Sequence, residues 1–527
     1  MKRISSICSL LLILSLTHSG CFSGEEPSTY YGGNVAPPRS QEFRWSDGGL
    51  PQTFDPAFAA APPDTDAVRA LFEGLTDYDP ATLAPVPAVA TRWESSADGR
   101  VWTFYLCENA RWSNGERVTA ADFVRSWERT LKIGPLAPHT ELLSNIEGAT
   151  PSPSPQSQQS QPPSVPPPAA QPTPLPFGAR AVNDNVLQVT LHHADHSFPS
   201  LVAHPVFRPV KVEHPDQTQR LNSHELISNG AFQLSAAETD RVRLERAKTY
   251  WDDAAVALDR VTFVNTSNPE DALAAYRAGQ VDAVTNAPFE PLVLKLLAPY
   301  KDFRRSTFGA LTFYAFNTAR PPFDDVRVRE ALALAIDRER VSRDDLGGAT
   351  EPAGKFLPEA MSGGEKPVVD EAELLEHDVN RAKQLLAEAG FPEGEGFPVI
   401  RLLINRNEQQ KIVAQSIVSM WRSALNIQAE IVIKAWDDYD AAIQVGDYDV
   451  VRRGMVLQTT SELTNLRMLF GGDSPDSEAQ ALQDLKAIPI YFASSYAVVK
   501  PYVSGFDANV LDAPSLKKTR MDTSWRP

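Results

Sequence analysis

Residues 401–433 read RLLINRNEQQKIVAQSIVSMWRSALNIQAEIVI, and the fold class follows from this stretch. Arg401 to Ile404 is a short apolar run of strand length. A helix follows from about Gln409 to Leu425, where Ile417, Trp421 and Leu425 recur every four residues and share one face. Glu430 to Ile433 returns to strand. Strand, helix and strand in close succession suit an α/β fold with partly parallel sheets.

The alternation extends outward from this unit. Arg381 to Ala389 reads as a helix stopped by Gly390. Asp324 to Asp337 reads as another, with Val328, Leu332 and Ile336 at spacing four. Toward the N-terminus, Val101 to Leu106 alternates with Trp102, Phe104 and Leu106 on one strand face. Thr119 and Asp122 have capping-box spacing and open a helix through Phe123, Trp127 and Leu131. Val186 to Leu191 and the pair Val242 and Leu244 alternate as strands, and Tyr250-Trp251-Asp252 closes the latter in a turn. No internal repeat is evident.

The first residues read as an export signal. Lys2 and Arg3 precede an apolar core from Ile4 to Leu16, which is too short for a permanent membrane span. Leu16-Thr17-His18-Ser19-Gly20-Cys21 resembles a bacterial lipoprotein processing site, with Cys21 as the residue to be lipidated and His18 where Leu is usual. Cleavage nearby without lipid is the other reading of an exported chain. Residues 22–40 are rich in Ser, Gly, Glu and Pro and suit a tether. Residues 151–176 are almost entirely Pro, Ser and Gln. They carry too little apolar surface to offset their ordering entropy and read as a disordered or extended insertion.

Composition excludes several classes. Asp and Glu total 67 against 50 Lys and Arg, a formal charge of −17 with no basic block outside the signal, so nucleic acid is not an expected partner. Cys8 leaves with the signal and Cys21 takes lipid, which leaves Cys107 without an intramolecular disulfide partner. His192, His193 and His196 follow a predicted strand, where their spacing diverges, so they read as a surface cluster and not a metal site. Acidic pairs such as Asp252-Asp253, Asp324-Asp325 and Asp437-Asp438 read as solvated surface. No phosphate loop, dinucleotide fingerprint, His-Glu-x-x-His pattern or nucleophile elbow occurs. No cofactor, metal or catalytic constellation is expected.

Five blocks in order resemble the extracellular solute-binding proteins, family 5, that serve ATP-driven peptide importers. They are Leu71-Phe72-Glu73-Gly74-Leu75 after Leu50 to Pro56; Val101 to Leu106 running on through Ala110 to Trp127; Ser228-Asn229-Gly230-Ala231-Phe232 with Tyr250-Trp251-Asp252; Phe316-Asn317 with Pro322 to Arg338; and Ile488 to Phe492 with Val499 to Val503. The resemblance implies an α/β, periplasmic binding protein-like fold of two hinged lobes with a cleft between them. Residues 1–20 are then the signal and 21–42 the lipidated tether. Lobe I comprises 43–70, 179–307 and 488–527. An extra domain spans 71–178 with the insertion 151–176, and lobe II spans 308–487. Compared with relatives, lobe II looks shortened after Gly472, which either reshapes the cleft or bares an apolar face.

The same resemblance implies a monomer that captures peptide or another small ligand, without catalysis, and passes it to an ABC permease. Peptide capture in this family resembles strand addition, backbone to backbone. The corresponding segments are Ala60-Ala61-Pro62 and Gly454-Met455-Val456, with Arg452 to receive a carboxylate. Gln458 stands where the family has an aspartate for the peptide ammonium, and Ile443 where it has a second basic residue. Pro62 offers no N–H. Asn229 and Gly230 are expected to give a tight backbone path or a close approach to ligand. Ala310 and Val456 occupy two positions that relatives often join as a disulfide. A changed small ligand and an envelope interaction role without transport stay open as alternatives.

Overall fold

The computed structural model describes residues 29–33, 35–150, 176–359 and 374–526. The export segment, Cys21 and insertion residues 151–175 lie outside the described residues. The unit that decided the fold class has strands Ile400–Asn405 and Ala429–Lys434 flanking helix Glu408–Leu425. Its strands pair in parallel, Ile400 opposite Ala429 through Asn405 opposite Lys434. Asn407 caps the helix by accepting the Gln410 N–H at 3.0 Å, and Asn426, at φ 58°, ends it. Ile417, Trp421 and Leu425 are buried, and Trp421 Nε1 donates to the Leu332 carbonyl at 2.9 Å.

The helix expected over 324–337 spans only Val326–Leu334. Two aspartates explain the difference. Asp325 caps its start by accepting the Arg327 N–H, and Asp337 caps a new turn by accepting the Arg340 N–H. Arg329 and Arg338, on either side of that break, are both buried among carbonyls. Arg329 donates to Phe323, Asp324, Asp484 and Leu485, and Arg338 to Ala333, Ile336, Leu375 and Pro489. Each guanidinium thus satisfies carbonyls that the broken helix and the adjoining loops leave open.

A mixed sheet of 11 strands runs through the molecule. Two long strands, Phe303–Phe316 and Ala487–Val499, lie antiparallel at its centre and cross between two apolar cores. One core gathers residues from 35–263 with strands near 283 and 497–521, and includes Phe43, Trp45, Phe104, Trp127 and Phe263. The other gathers residues 314–491, including Tyr314, Leu332, Trp421 and Ile490. These cores define two α/β lobes. Where the long strands pass between them the register breaks: Thr307 faces Ser494, but the next pair is Leu311 with Phe492. Gly309 sits in this bulge. It donates to the Val510 carbonyl at 2.7 Å and accepts the Leu457 N–H at 2.8 Å. A bulge interrupts the ladder at a place where the crossing strands must bend.

A separate antiparallel sheet of four strands runs in the order Ala90–Ser95, Val101–Leu106, Val186–Thr190, Ala179–Asn183. The boundary expected at 178/179 therefore falls inside this sheet. Periodicity located two of these strands, Val101–Leu106 and Val186–Thr190, but not Ala90–Ser95 or Ala179–Asn183, the last of which follows the insertion at 151–176 and returns to the same sheet. Helix Ala120–Ile133 packs beside it, capped as expected, with the Thr119 N–H donating to Asp122 at 2.8 Å.

Candidate functional site

Strand Val450–Val456 pairs along one edge with the crossing strand, Tyr314 opposite Arg452, Thr312 opposite Gly454 and Ala310 opposite Val456. Its other edge pairs with strand Ile400–Asn405 only at Val450 and Val451. Hydrogen bonds at both ends of the first ladder fix which groups face which way. Leu457 donates to Gly309 and Asn317 to Asp449. Alternation then turns residues 453 and 455 toward the crossing strand, and leaves the main-chain groups of Arg452, Gly454 and Val456 on the open edge. Among the described residues no strand covers that edge. Arg452 gives its carbonyl to the Tyr439 hydroxyl, and Val456 gives its own to Gln458 Nε2 at 3.1 Å. Gly454 and Val456 both lie exposed. Met455 points the other way, against the small core of Leu311, Phe313 and Phe356.

Arg452 shares a face with Gly454. Its Nη2 donates to Thr312 Oγ1 at 3.3 Å, and lies 3.1 Å from where a Cβ on Gly454 would stand. Its Nε is buried without a hydrogen-bond partner, as is the nearby Tyr314 hydroxyl. Among the described residues no carboxylate pairs with Arg452, so its charge remains available. Ile443, on helix Trp436–Gln444, contributes apolar packing against Leu403, Tyr439 and Val451.

The second segment is held by a buried ion pair. Asp55 receives Arg129 Nη2 at 2.6 Å and Nη1 at 3.1 Å, and both side chains are essentially without solvent contact. Asp55 also accepts the N–H groups of Ala57 and Leu221. Buried charges need this degree of saturation. The loop it anchors carries Ala60 and Ala61 to the surface. The Ala61 carbonyl accepts the Thr65 N–H at 3.2 Å, and the Ala60 carbonyl accepts His139 Nε2 at 2.9 Å. The N–H groups of Ala60 and Ala61 have no internal acceptor among the described residues. This segment therefore presents donors, and Pro62 follows without one.

Between these two segments runs a relay that sequence reasoning missed. His139 holds Ala60, and its ring meets that of His204 edge to face at 5.0 Å. His204 Nε2 faces Gln458 Oε1 at 3.2 Å, and Gln458 Nε2 returns to the Val456 carbonyl. His204 Nδ1 accepts the Val206 N–H at 3.2 Å, which puts the imidazole proton on Nε2. Burial, followed by His139 and Arg69, holds the His204 pKa well below the ordinary imidazole value, so the ring is neutral. The only sequence clue was the Gln at 458; His139 and His204 lie in loops without periodicity.

Asn229 and Gly230 lie on a tight backbone path. Asn229 is buried, and its amide accepts the Glu73 N–H at 3.1 Å and donates to the Glu73 carbonyl at 3.0 Å. Gly230 donates to the Leu71 carbonyl, and a Cβ there would lie 2.6 Å from the Ala70 oxygen. The tight path reading holds, but it locks the end of helix Asp64–Leu71 to strand Phe232–Ala237.

The segment after Gly472 is closed by the chain itself. Helix Glu478–Asp484 buries Ala481 and Leu482 beside Leu466, Leu311 and Phe313. Glu478 accepts the Leu357 N–H at 2.7 Å, and burial raises its pKa to about 7. His192, His193 and His196 are exposed, and among the described residues no group of three or more His, Cys, Asp or Glu is placed to hold a metal.

Comparison with known proteins adds to this geometry. Residues 84–477 match the profile of the bacterial extracellular solute-binding proteins, family 5. The chain is 30% identical to the periplasmic murein peptide-binding protein MppA of Escherichia coli, over 96% of both chains. It is 28% identical to the periplasmic oligopeptide-binding protein OppA of Salmonella typhimurium, over 88% of this chain and 89% of that one. Its structure resembles MppA in an unliganded open form with a TM-score of 0.76, at 26% identity and covering 92% of this chain and 98% of that one. A structure of the Escherichia coli murein tripeptide binding protein MppA, at 27% identity and covering 92% of this chain and 99% of that one, gives 0.65.

Proposed function

The chain belongs to the bacterial extracellular solute-binding proteins, family 5, and we propose that it binds short peptides in the cleft between its lobes and delivers them to an ABC permease. Members of this family bind solutes and do not transform them, and they work outside the cytoplasm. The observation that carries the peptide reading is the open edge of strand Val450–Val456. Gly454 and Val456 turn main-chain groups outward there with no strand beside them among the described residues. An extended peptide is the ligand that such an edge fits, because backbone pairing needs no particular side chains. The relatives named for oligopeptide and murein-peptide binding support the same reading.

In this proposal Gly454, Val456 and the free N–H groups of Ala60 and Ala61 pair with the ligand backbone, Met455 backs the strand, and Arg452 receives the carboxylate. Asn229 and Gly230 support the loop behind them. Lobe II corresponds to 308–487 and lobe I to the flanking segments, with the four-stranded sheet as the extra domain. Cys21 carries a lipid that tethers the protein to the membrane holding its permease. Ligand shifts the open form toward a closed one only through tighter binding to the closed state.

The test is a thermal melt of the purified protein with and without a pool of synthetic peptides. Saturable binding raises the melting temperature with peptide concentration. A melting temperature that stays fixed up to millimolar peptide overturns the peptide reading.

A further inference from the structure

We propose that the Gln458 end of this groove selects peptides whose amino end is uncharged, such as an N-acyl cap, and that His204 is the positioning residue that sets this choice. The inference rests on the peptide reading and names the ligand class within it.

The argument begins with which end lies where. Arg452 and Arg453 both lack a carboxylate partner among the described residues, and of the two it is Arg452 that shares a face with Gly454, so a peptide carboxylate belongs at Arg452. Its guanidinium lies over Gly454. From Gly454 to Gln458 an extended chain covers about 13 Å, the length of about four residues. A short peptide held at Arg452 by its carboxylate thus brings its amino end to Gln458.

The chemistry at that end is unfavourable to an ammonium. The Gln458 amide cannot turn freely. His204 Nε2 donates to its oxygen, while its nitrogen donates to the Val456 carbonyl. The His204 tautomer is fixed by the Val206 N–H on Nδ1, so the donor at Nε2 cannot become an acceptor. Reversing the amide would set two donors against each other and leave Val456 without one. Gln458 still offers its second N–H, which with the outward N–H of Val456 asks for an acceptor on the ligand, and a lone pair on Oε1 that lacks the full negative charge an ammonium needs.

The charges around the pair reinforce this. Arg69 and Arg208 flank His204 on the protein side. Arg69 and Arg208 have carboxylate partners of their own, Asp66 at 3.0 Å and Asp77 at 3.3 Å. Glu141 stands 3.8 Å from the His139 ring and is itself half exposed. An ammonium would leave water without a charged partner, whereas an acyl carbonyl meets donors already aimed at it.

The experiment is native mass spectrometry of the full chain with equimolar pools of lysine-free peptides of about three to five residues, one pool with free and one with acetylated amino ends. Retention of acetylated over free peptides by about tenfold, a difference of about 1.4 kcal/mol, is expected. Equal retention, or preference for free amines, overturns the inference and leaves the peptide reading intact. Retention of neither pool at millimolar concentration overturns both. Gln458→Asp supplies a carboxylate and reverses the preference; an equal change for both pools counts against the role of Gln458. His204→Ala frees the amide to turn and narrows the ratio toward one, which loss of stability alone would not do. The wild-type ratio decides the matter should either variant fail to fold.

Discussion

His204 Nε2 and Gln458 Oε1 stand 3.2 Å apart across 254 positions of sequence, and this contact ties the loop of His204 to the end of strand Val450–Val456. Gln458 follows the strand with the open edge, while His204 sits beside Ala203, which packs with Tyr78 and Val510. The Val206 N–H fixes the ring's tautomer, the contact in turn fixes the Gln458 amide orientation, and its energetics depend on the ring staying neutral.

Acid should therefore weaken it. Burial depresses the folded-state pKa of His204 below the unfolded value of about 6.5. The unfolded chain then binds the proton more readily, so the stabilisation is fully present above pH 6.5 and is lost as pH falls below it. His204→Gln should cost about 1–2 kcal/mol at pH 7.5, and the gap to wild type should narrow at pH 5. Urea unfolding at the two pH values measures this, and a gap that widens in acid contradicts it.

Asp47 behaves in the opposite sense. It is buried, with Oδ1 accepting Thr285 Oγ1 and Asn286 Nδ2, both at 2.7 Å, and Oδ2 has no hydrogen-bond partner. Burial is the main cause that pushes its pKa up to about 6, close to Asp66, whose pKa is also raised. A raised folded-state value gives stability that is present in acid and lost as pH rises through about 6. Asp47→Asn keeps the Oδ1 acceptor and puts a donor toward Asp66. It should raise stability by about 1–2 kcal/mol at pH 8 and by less at pH 4. Thermal melts at the two pH values check the sign.

Ala310 and Val456 face each other across the central ladder. The neighbouring pairs at 309/457 and 311/455 carry the hydrogen bonds, so this pair is of the close type, with Cα atoms about 4.5 Å apart. That separation lies within disulfide range. The double variant Ala310→Cys, Val456→Cys should oxidise quantitatively in air, read by loss of free thiol. Persistent free thiols in the folded protein would contradict the register.

Gly454→Pro probes the open edge itself. The Gly454 N–H faces away from its ladder partner, so proline removes a donor toward the ligand and not a ladder bond. Peptide affinity should fall about tenfold while stability changes by less than about 1 kcal/mol. A large loss of stability would place that N–H inside the ladder.

The fold was legible wherever periodicity was strong. Ile417, Trp421 and Leu425 marked a helix face whose burial the structure bears out, and Trp102, Phe104 and Leu106 did so for a strand. The helix at 324–337 was read too long because Asp325 and Asp337 act as caps, and cap geometry depends on backbone direction that apolar spacing does not encode. Gly230 announced a tight path, but a close backbone approach and a ligand contact leave the same mark in sequence. The relay of His139 and His204 was silent because its members come from separate loops that only tertiary packing brings together.

The central claim is that two lobes close around a small guest. Small-angle X-ray scattering of the full chain, alone and with the peptide pool at a concentration that raises its melting temperature, tests this directly. Closure of the lobes on a guest should reduce the radius of gyration by about an ångström and sharpen the distance distribution. Identical scattering curves with and without bound peptide would contradict the account.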